Sequence, residues 1–480
     1  MSLKQKALSG IFWTLIQQFS LQGIGFIVSI ILARLLLPEE FGLIAMLGIF
    51  IGLGAVLMEA GLGQSLIRTK NADIEDYSTV FYFNLGGSFI VYAIVYFCAP
   101  FIADFYHQPQ LESITRWYCL IFITNALSSI HYTRLTKQML FKKELSITIP
   151  SLMISSLVGI AMAYSGYGVW SLVASGLTQS LAVALQIWIR SDWRPIFGFN
   201  KEKFKYHFHY GYKLTLSGIF DILFTNAYVI IIGKYFSPVQ VGFYNRADTL
   251  KQLPVSNISA VLNKVTFPLF VEVKDDDVRL KEIYRKILQM VLFFIAPILL
   301  IMAALGKPLF SFLFTDKWLP AVPYFQILCW AGILYPIHAY NLNVLKVKGR
   351  SDLFLKLETT KKTMVILVIW ASMSFGIYGL LYGGIITSVL AFFVNTYYSG
   401  KFINYNAWHQ IVDVFPTILL ASIVGAIVYF IDELLGRHLF SNFKRLLIGA
   451  TAGAILFWLL STMFRLKALN EFTNIIRKND

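Results

Sequence analysis

Residues 30–43 read IILARLLLPEEFGL, and residues 229–243 read VIIIGKYFSPVQVGF. Both stretches carry a basic residue, a proline four positions later and a glycine four positions after that. The matching residues are Arg34 with Lys234, Pro38 with Pro238, and Gly42 with Gly242. Two further pairs follow in the same order along the chain: LSSIHYTRL (127–135) with LYPIHAYNL (334–342), and SGYGVWSL (165–172) with GIYGLLYG (376–383). Three matches in one order predict a duplicated structural unit.

The composition is that of an integral membrane protein. Of the 480 residues, 57% are hydrophobic and 14% are charged, and the mean hydropathy is +0.65. Apolar runs of about 20 residues, long enough to cross a hydrocarbon core of roughly 30 Å as a helix, recur about fourteen times. Backbone groups in lipid must be hydrogen-bonded within the protein, so segments this long form helices. We predict an all-α, polytopic membrane protein with about 14 transmembrane helices.

The repeat divides these helices into three parts. Each copy holds about six spans, an even number, so the two copies share their orientation and form two pseudo-symmetric six-helix lobes. The predicted parts are an N-terminal six-helix lobe (1–200), a C-terminal six-helix lobe (201–402), and an additional two-helix hairpin with a cytoplasmic tail (403–480). We interpret the hairpin as a scaffold or a lipid-facing pair. Residues 190–213, RSDWRPIFGFNKEKFKYHFHYGYK, predict an amphipathic connector that lies on the membrane surface.

The net charge of +15 is interpreted first as a topology signal. When the N-terminus is placed inside, most lysines and arginines of the loops fall on the cytoplasmic side. This bias predicts that both termini are cytoplasmic. The charge therefore gives no reason to expect a nucleic-acid partner.

Residues 243–264, FYNRADTLKQLPVSNISAVLNK, are a stretch of spanning length that carries Arg246, Asp248 and Lys251. A charge at bilayer depth costs at least about 2.5–3.5 kcal/mol, so it faces a partner or a water-filled cavity. One interpretation is structural pairing, with Asp221 of the preceding span satisfying Arg246 and with Asp248 beside Lys251. The other is that Arg246 and Lys251 line a cavity and bind an anionic substrate. Asp221 and Asp248 are then candidates for ion coupling or charge pairing.

Other polar residues within spans are weaker candidates. Glu59 lies near the cytoplasmic end of the second span and is a candidate for ion coupling, against the alternative of an interfacial carboxylate. His131 and His338 occupy matching repeat positions, with Arg134 and Asn341 one turn further on. These four residues are candidates for a polar cytoplasmic mouth, although ordinary bonding between helices is the more common role for such side chains.

Several chemistries have no motif in the sequence. It contains no GxxxxGK[ST] loop for ATP and no HExxH pair for a metal, so we expect neither a metal site nor a cofactor. Asp275, Asp276 and Asp277 are interpreted as a solvated loop rather than the DxD motif of a glycosyltransferase. The loops on the outer side are short. We therefore expect no extramembrane catalytic domain and no enzymatic activity.

The stretch SPVQVGFYNRADTLKQLPVSNISAVLNKVTFPLF (237–270) resembles the seventh-to-eighth-helix region of Wzx-type polysaccharide flippases. These belong to the multidrug/oligosaccharidyl-lipid/polysaccharide (MOP) superfamily. In them a YNRA segment is followed by a proline and a V-x-FP ending. ILARLLLPEEFGLIAM, RLTKQMLFKKEL, GYGVWSLV and DKWLPAVPYFQIL are also similar to that family, particularly its colanic acid and teichuronic acid exporter branch. The likeness covers nearly the whole chain.

The resemblance implies alternating access by two lobes. The implied substrate is an oligosaccharide repeat unit linked to undecaprenyl diphosphate, moved across the bacterial cytoplasmic (inner) membrane for surface polysaccharide biosynthesis. The family is usually regarded as ion-coupled, and a polysaccharide polymerase or export machinery is a possible partner. Arg246 and Lys251 would then contact the diphosphate. A cation-coupled drug antiporter is the alternative, and a membrane glycosyltransferase or polymerase is a more distant one.

Overall fold

The computed structural model describes residues 3–469, with side chains described except at residues 3–12, 15, 260–265 and 351. The predicted cytoplasmic tail beyond residue 469 lies outside the described residues. The chain forms two compact units, which divide between Gly242 and Phe243. The three parts expected from the repeat, 1–200, 201–402 and 403–480, stay a prediction.

The N-terminal unit contains ten helices within the described range. They are α1 (Leu3–Leu35), α2 (Pro38–Glu59), α3 (Leu62–Arg68), α4 (Ile74–Tyr106), α5 (Gln110–Tyr118), α6 (Ile121–Lys137), α7 (Phe141–Tyr164), α8 (Val169–Arg190), α9 (Lys201–Thr225) and α10 (Ala227–Tyr235).

Helix α11 (Pro238–Glu272) starts just before the division, and most of it belongs to the C-terminal unit. The remaining helices are α12 (Asp277–Ala304), α13 (Gly306–Phe314), a 3₁₀ turn (Asp316–Ala321), α14 (Val322–Ile333), α15 (Tyr335–Val347), α16 (Ser351–Met373), α17 (Gly376–Ile403), α18 (Ala407–Arg437) and α19 (Asn442–Met463).

The helices start where the sequence supplies starting signals. Proline occupies the first position of α2, where its missing N–H costs no hydrogen bond. Asp73 accepts a hydrogen bond from the backbone of Asp76, and Asp76 bonds back to Asp73, so that a reciprocal capping box begins α4. The Asn200 side chain caps α9 by accepting hydrogen bonds from two backbone N–H groups, those of Glu202 and Lys203.

Ten helices of the described chain are long and apolar enough to cross a membrane, and the pair α9–α10, bent by 49°, raises the number to eleven. Large apolar side chains remain exposed along them, including Phe97 at 73% and Phe430 at 69%, as expected where lipid replaces water. The all-helical prediction is confirmed, and the protein is a multi-pass membrane protein.

The connector predicted over residues 190–213 is shorter than expected. Only residues 191–200 connect α8 to α9, because Asn200 caps a helix that already begins at Lys201. The ammonium group of Lys203 pairs with Asp73 at 2.5 Å and Glu75 at 2.9 Å. These ion pairs neutralise a lysine that the sequence analysis placed in the surface connector. Asp221 lies four residues before the C-terminal end of α9, near the bend that joins α9 to α10.

Each unit packs around its own core. In the N-terminal unit, α7 packs along α1 and α8, and α6 packs against α4 and α8. In the C-terminal unit, α12 packs along α18 and α14, while α17 packs against α15 and α16. The hairpin α18–α19 packs on the C-terminal unit through α12, while side chains such as Phe430 and Trp458 stay exposed. Its interpretation as a scaffold or a lipid-facing pair stays a prediction.

Candidate functional site

A polar cavity of about 780 Å³ lies inside the N-terminal unit, among α1, α2, α3, α6, α7 and α8. Glu59 lines it from the last position of α2, where the chain turns sharply through two residues of positive φ, Ala60 and Gly61. Glu144 lines it from α7 and accepts a hydrogen bond from Gln17 of α1 at 3.0 Å. Two carboxylates therefore line one cavity together with amide and hydroxyl groups, an environment suited to holding a proton or a cation.

The sequence prediction found Glu59 but missed Glu144 as its companion. Glu144 lies in the basic stretch RLTKQMLFKKEL, which marks an interfacial loop by composition. Only the packing of α7 against α1 places this carboxylate beside Gln17. The residue pattern within a single segment does not predict this contact between Glu144 and Gln17.

The charges of α11 lie within the C-terminal unit. The Arg246 side chain is buried, and its guanidinium carbon lies 4.9 Å above the ring of Phe314 and 5.2 Å from that of Trp318. Aromatic faces stabilise a cation by about 0.5–2 kcal/mol. The ammonium group of Lys251 lies 2.6 Å from the carboxylate of Asp248, one turn away. The local pairing of Asp248 with Lys251 is thus observed, and substrate binding by Arg246 and Lys251 stays a prediction.

Lys251 also packs against α14. A Cβ added at Gly332 would lie 3.0 Å from the Cδ of Lys251, so the stem of the lysine runs over this glycine. The Lys251 side chain is 13% exposed, whereas that of Asp248 is 40% exposed. Asp221 has an exposed side chain on α9 of the N-terminal unit. Its predicted pairing with Arg246 stays a prediction.

The two repeat-related histidines have similar surroundings in their units. His131 is buried, with Nδ1 at 2.8 Å from the hydroxyl of Ser191 and its ring packed edge-on against Trp193. Nε2 of His338 lies 3.1 Å from the hydroxyl of Ser388. His131 therefore bonds α6 to a serine next to the end of α8, and His338 bonds α15 to a serine on α17.

Arg134 and Asn341 also make contacts between segments. The Arg134 guanidinium lies 5.4 Å from the rings of both Tyr77 and Trp193. The Asn341 amide is buried and exchanges two hydrogen bonds with the side chain of Gln410, at 3.2 and 3.3 Å. These contacts match the alternative of bonding between helices, and the role of His131, Arg134, His338 and Asn341 at a cytoplasmic mouth stays a prediction.

A polar network in the C-terminal unit was not predicted. Gln410 of α18 also accepts a hydrogen bond from the hydroxyl of Tyr284 at 3.3 Å. Asp413, one turn further, pairs with Arg285 and accepts from the hydroxyl of Tyr405 at 2.7 Å. The sequence signal was the polar stretch NYNAWHQ (404–410), which only suggested where the hairpin begins. The network shows that this stretch joins α18 to α12 and α15.

Comparison with proteins of known sequence gives relatives along most of the chain. The lipopolysaccharide biosynthesis protein WzxC of Escherichia coli is 24% identical over 401 residues, which are 82% of each chain. The teichuronic acid biosynthesis protein TuaB of Bacillus subtilis is 24% identical over 458 residues, 95% of each chain. The succinoglycan biosynthesis transport protein ExoT of Rhizobium meliloti is 23% identical over 329 residues, 68% of this chain and 67% of its own.

Solved structures share the fold. The inward closed conformation of the lipid II flippase MurJ superposes with a TM-score of 0.69 at 17% identity, covering 95% of this chain and 98% of its own. An inward-facing MATE multidrug transporter of the MOP superfamily superposes with a TM-score of 0.58 at 16% identity, covering 82% and 98%. The predicted resemblance to the polysaccharide branch of this superfamily is confirmed. Because residues 31–323, more than half of the chain, match the family described as polysaccharide biosynthesis protein, the chain belongs to that family.

Proposed function

We propose that this protein is a flippase for lipid-linked oligosaccharides. It moves repeat units attached to undecaprenyl diphosphate from the inner to the outer leaflet of a bacterial cytoplasmic membrane, by alternating access and with the energy of an ion gradient. Family membership, the names of WzxC, TuaB and ExoT, and the fold shared with a lipid II flippase support this proposal. The protein is a transporter rather than an enzyme, and a polysaccharide polymerase or export complex would take over its product.

The observation that carries the substrate class is the presence of two cations, Arg246 and Lys251, in the spanning helix α11. Arginine and lysine bind phosphate oxygens by charge-assisted hydrogen bonds, and a diphosphate offers several such oxygens. A transporter of cationic drugs would instead need carboxylates at its binding site. The carboxylates Glu59 and Glu144 lie in a separate cavity, where ion coupling is the role that we propose for Glu59.

The same proposal includes the topology. Three helical segments that are too polar or too short for the apolar set add one span each to the eleven and bring the total to 14; they are α5–α6, α11 and α16. An even number returns both ends of the chain to one side, and the distribution of lysine and arginine places that side in the cytoplasm. The repeat supports two six-helix lobes followed by the hairpin α18–α19.

Reconstituted protein is expected to move a fluorescent undecaprenyl-diphosphate oligosaccharide between the leaflets of proteoliposomes, and an imposed proton or sodium gradient is expected to accelerate the movement. A membrane-impermeant quencher reports how much probe has reached the opposite leaflet. Empty vesicles provide the background rate. Failure of folded protein to move the glycan-bearing lipid, together with gradient-driven movement of a cationic dye, would replace this proposal by that of a drug antiporter.

Replacing Glu59 by glutamine is expected to reduce gradient-stimulated transport to the rate measured without a gradient, because an amide neither binds nor releases a proton. Glu39→Gln is a matched control, since Glu39 lies exposed on the first turn of the same helix and outside the cavity. Transport is measured in the proteoliposome assay with and without the gradient. Unchanged stimulation in Glu59→Gln would remove Glu59 from the coupling mechanism.

A further inference from the structure

A second pocket, of about 580 Å³, lies between the end of α3 and one face of α9. Its lining includes three cations, Arg68, Lys205 and Lys213, and one carboxylate, Glu202. The α9 residues of the lining recur at intervals of three and four positions, so they share one side of the helix. The pocket therefore concentrates positive charge along about two turns of α9.

Aromatic rings form the apolar part of the same pocket. Tyr206 and Tyr210 line it from α9, and the guanidinium of Arg68 lies 4.7 Å from the ring centre of Tyr210. This cation–π contact holds the long arginine side chain in place and leaves its N–H groups able to bind further acceptors. A flat ring next to fixed cations suits a ligand that has both phosphate oxygens and an apolar or sugar surface.

The walls of the pocket are fixed by buried contacts. Nδ1 of His207 lies 2.8 Å from the hydroxyl of Ser65 on α3, and Nε2 lies 3.2 Å from a carboxylate oxygen of Asp76 on α4. The imidazole is fully buried. One turn further, a Cβ at Gly61 would lie 2.5 Å from the carbonyl oxygen of Gly211, so the two backbones touch. Preformed geometry of this kind lowers the entropic cost of binding a ligand.

The cations of the pocket differ from the neighbouring Lys203. Lys203 is neutralised by Asp73 and Glu75, and its hydrogen bond lowers the pKa of Asp73 to about 2. Among the described residues, no carboxylate lies within ion-pairing distance of Arg68, Lys205 or Lys213. Folding of this region therefore uses Lys203 and leaves the other three cations available to a ligand.

The pocket lies next to a segment with the character of a membrane interface. The connector 191–200 exposes Phe197 at 99% and Phe199 at 48%, and the next exposed apolar residues follow on α9 itself. Aromatic and basic side chains together are typical of the headgroup level of a bilayer. A ligand that reaches the pocket from this level carries a lipid tail on one side and its charged group on the other.

We propose that the pocket formed by Arg68, Lys205, Lys213 and Tyr210 binds the phosphate group of a lipid at the membrane interface. Two lipids share this chemistry: a polyprenyl diphosphate, which would be held here at the inner leaflet apart from Arg246 and Lys251, and an anionic phospholipid. Binding of the polyprenyl diphosphate rests on the proposed function, whereas binding of a phosphate group does not. In either case the pocket binds lipid through residues other than Arg246 and Lys251 of α11.

The test uses the full-length protein and native mass spectrometry titrations with three lipids: undecaprenyl diphosphate, phosphatidylglycerol and uncharged undecaprenol. The variant Arg68→Gln/Lys205→Gln/Lys213→Gln is expected to lose at least about tenfold in affinity for the phosphate-bearing lipid, because each basic residue near a headgroup contributes to binding. The matched control Lys70→Gln/Lys201→Gln/Arg279→Gln removes the same charge from exposed residues outside the pocket. Its affinity is expected to stay within about twofold.

The titrations distinguish binding of the carrier lipid from binding of an anionic phospholipid. Tighter binding of undecaprenyl diphosphate than of phosphatidylglycerol, lost in the pocket variant, assigns the site to the carrier lipid. Equal binding of both, lost in the same variant, assigns it to anionic headgroups in general. Equal losses in pocket and control variants, or undiminished binding in a pocket variant that unfolds at the wild-type temperature, would overturn the proposal. Because binding is measured without transport, a failed flippase assay leaves this result intact.

Discussion

Replacing Gly42 by alanine is expected to destabilise the protein by about 1–3 kcal/mol, the usual cost of overpacking a filled site. A Cβ at Gly42 would overlap the backbone carbonyl of Pro238, and a Cβ at Gly242 would overlap that of Pro38. The two contacts are reciprocal, because each glycine faces the proline of the other repeat copy. Backbone atoms cannot move aside as a flexible side chain can. Gly242→Ala is therefore expected to have an effect of similar size.

Gly48→Ala provides the control within the same helix. Gly48 is exposed on α2, and a Cβ there would meet no atom within 4 Å. Alanine at such a helical position stabilises by roughly 0.5–1 kcal/mol, so the control and Gly42→Ala should shift in opposite directions. Thermal unfolding of the three purified variants, followed by tryptophan fluorescence in one detergent, measures the difference. Equal melting temperatures for Gly42→Ala and Gly48→Ala would contradict the reciprocal contact.

The reciprocal contact also shows what the sequence could and could not predict. The spacing of proline and glycine in the two stretches was visible in the sequence, and in the structure the helices α2 and α11 begin at Pro38 and Pro238. That Gly42 contacts Pro238 and Gly242 contacts Pro38 depends on the packing of segments some 200 residues apart. A repeat pattern gives the equivalence of two segments but carries no information on their distance.

Most helices followed from apolar runs of spanning length, because lipid forces the backbone to bond within each segment. The sequence did not show which charges are satisfied by distant partners. Residues 201–213 resembled a surface connector, yet they form the first half of α9 once Lys203 meets Asp73 and His207 meets Ser65 and Asp76. Glu59 was recognisable as an unusual carboxylate in an apolar span, whereas its surroundings depended on tertiary packing.

Replacing both Arg246 and Lys251 by alanine is expected to reduce transport of the fluorescent lipid-linked oligosaccharide by at least about 100-fold in proteoliposomes. A hydrogen bond to a charged group contributes about 1.5–3 kcal/mol, which is roughly tenfold or more in affinity per contact. The control Arg279→Ala/Lys356→Ala removes the same charge from exposed positions of the same unit. Wild-type transport in the α11 double variant, with membrane insertion verified, would exclude a substrate role for these two cations.

A charge-neutral variant separates substrate binding from structural pairing at Lys251. If this lysine serves only to neutralise Asp248, Asp248→Ala/Lys251→Ala should transport at nearly the wild-type rate, since neither charge is left without its partner. If Lys251 contacts the diphosphate, the same variant should be as slow as Lys251→Ala alone. We expect the second result, because the Lys251 stem is held over Gly332 while the Asp248 side chain is 40% exposed. An exposed carboxylate can be stabilised without the lysine. The need to neutralise Asp248 therefore does not by itself explain why α11 carries Lys251.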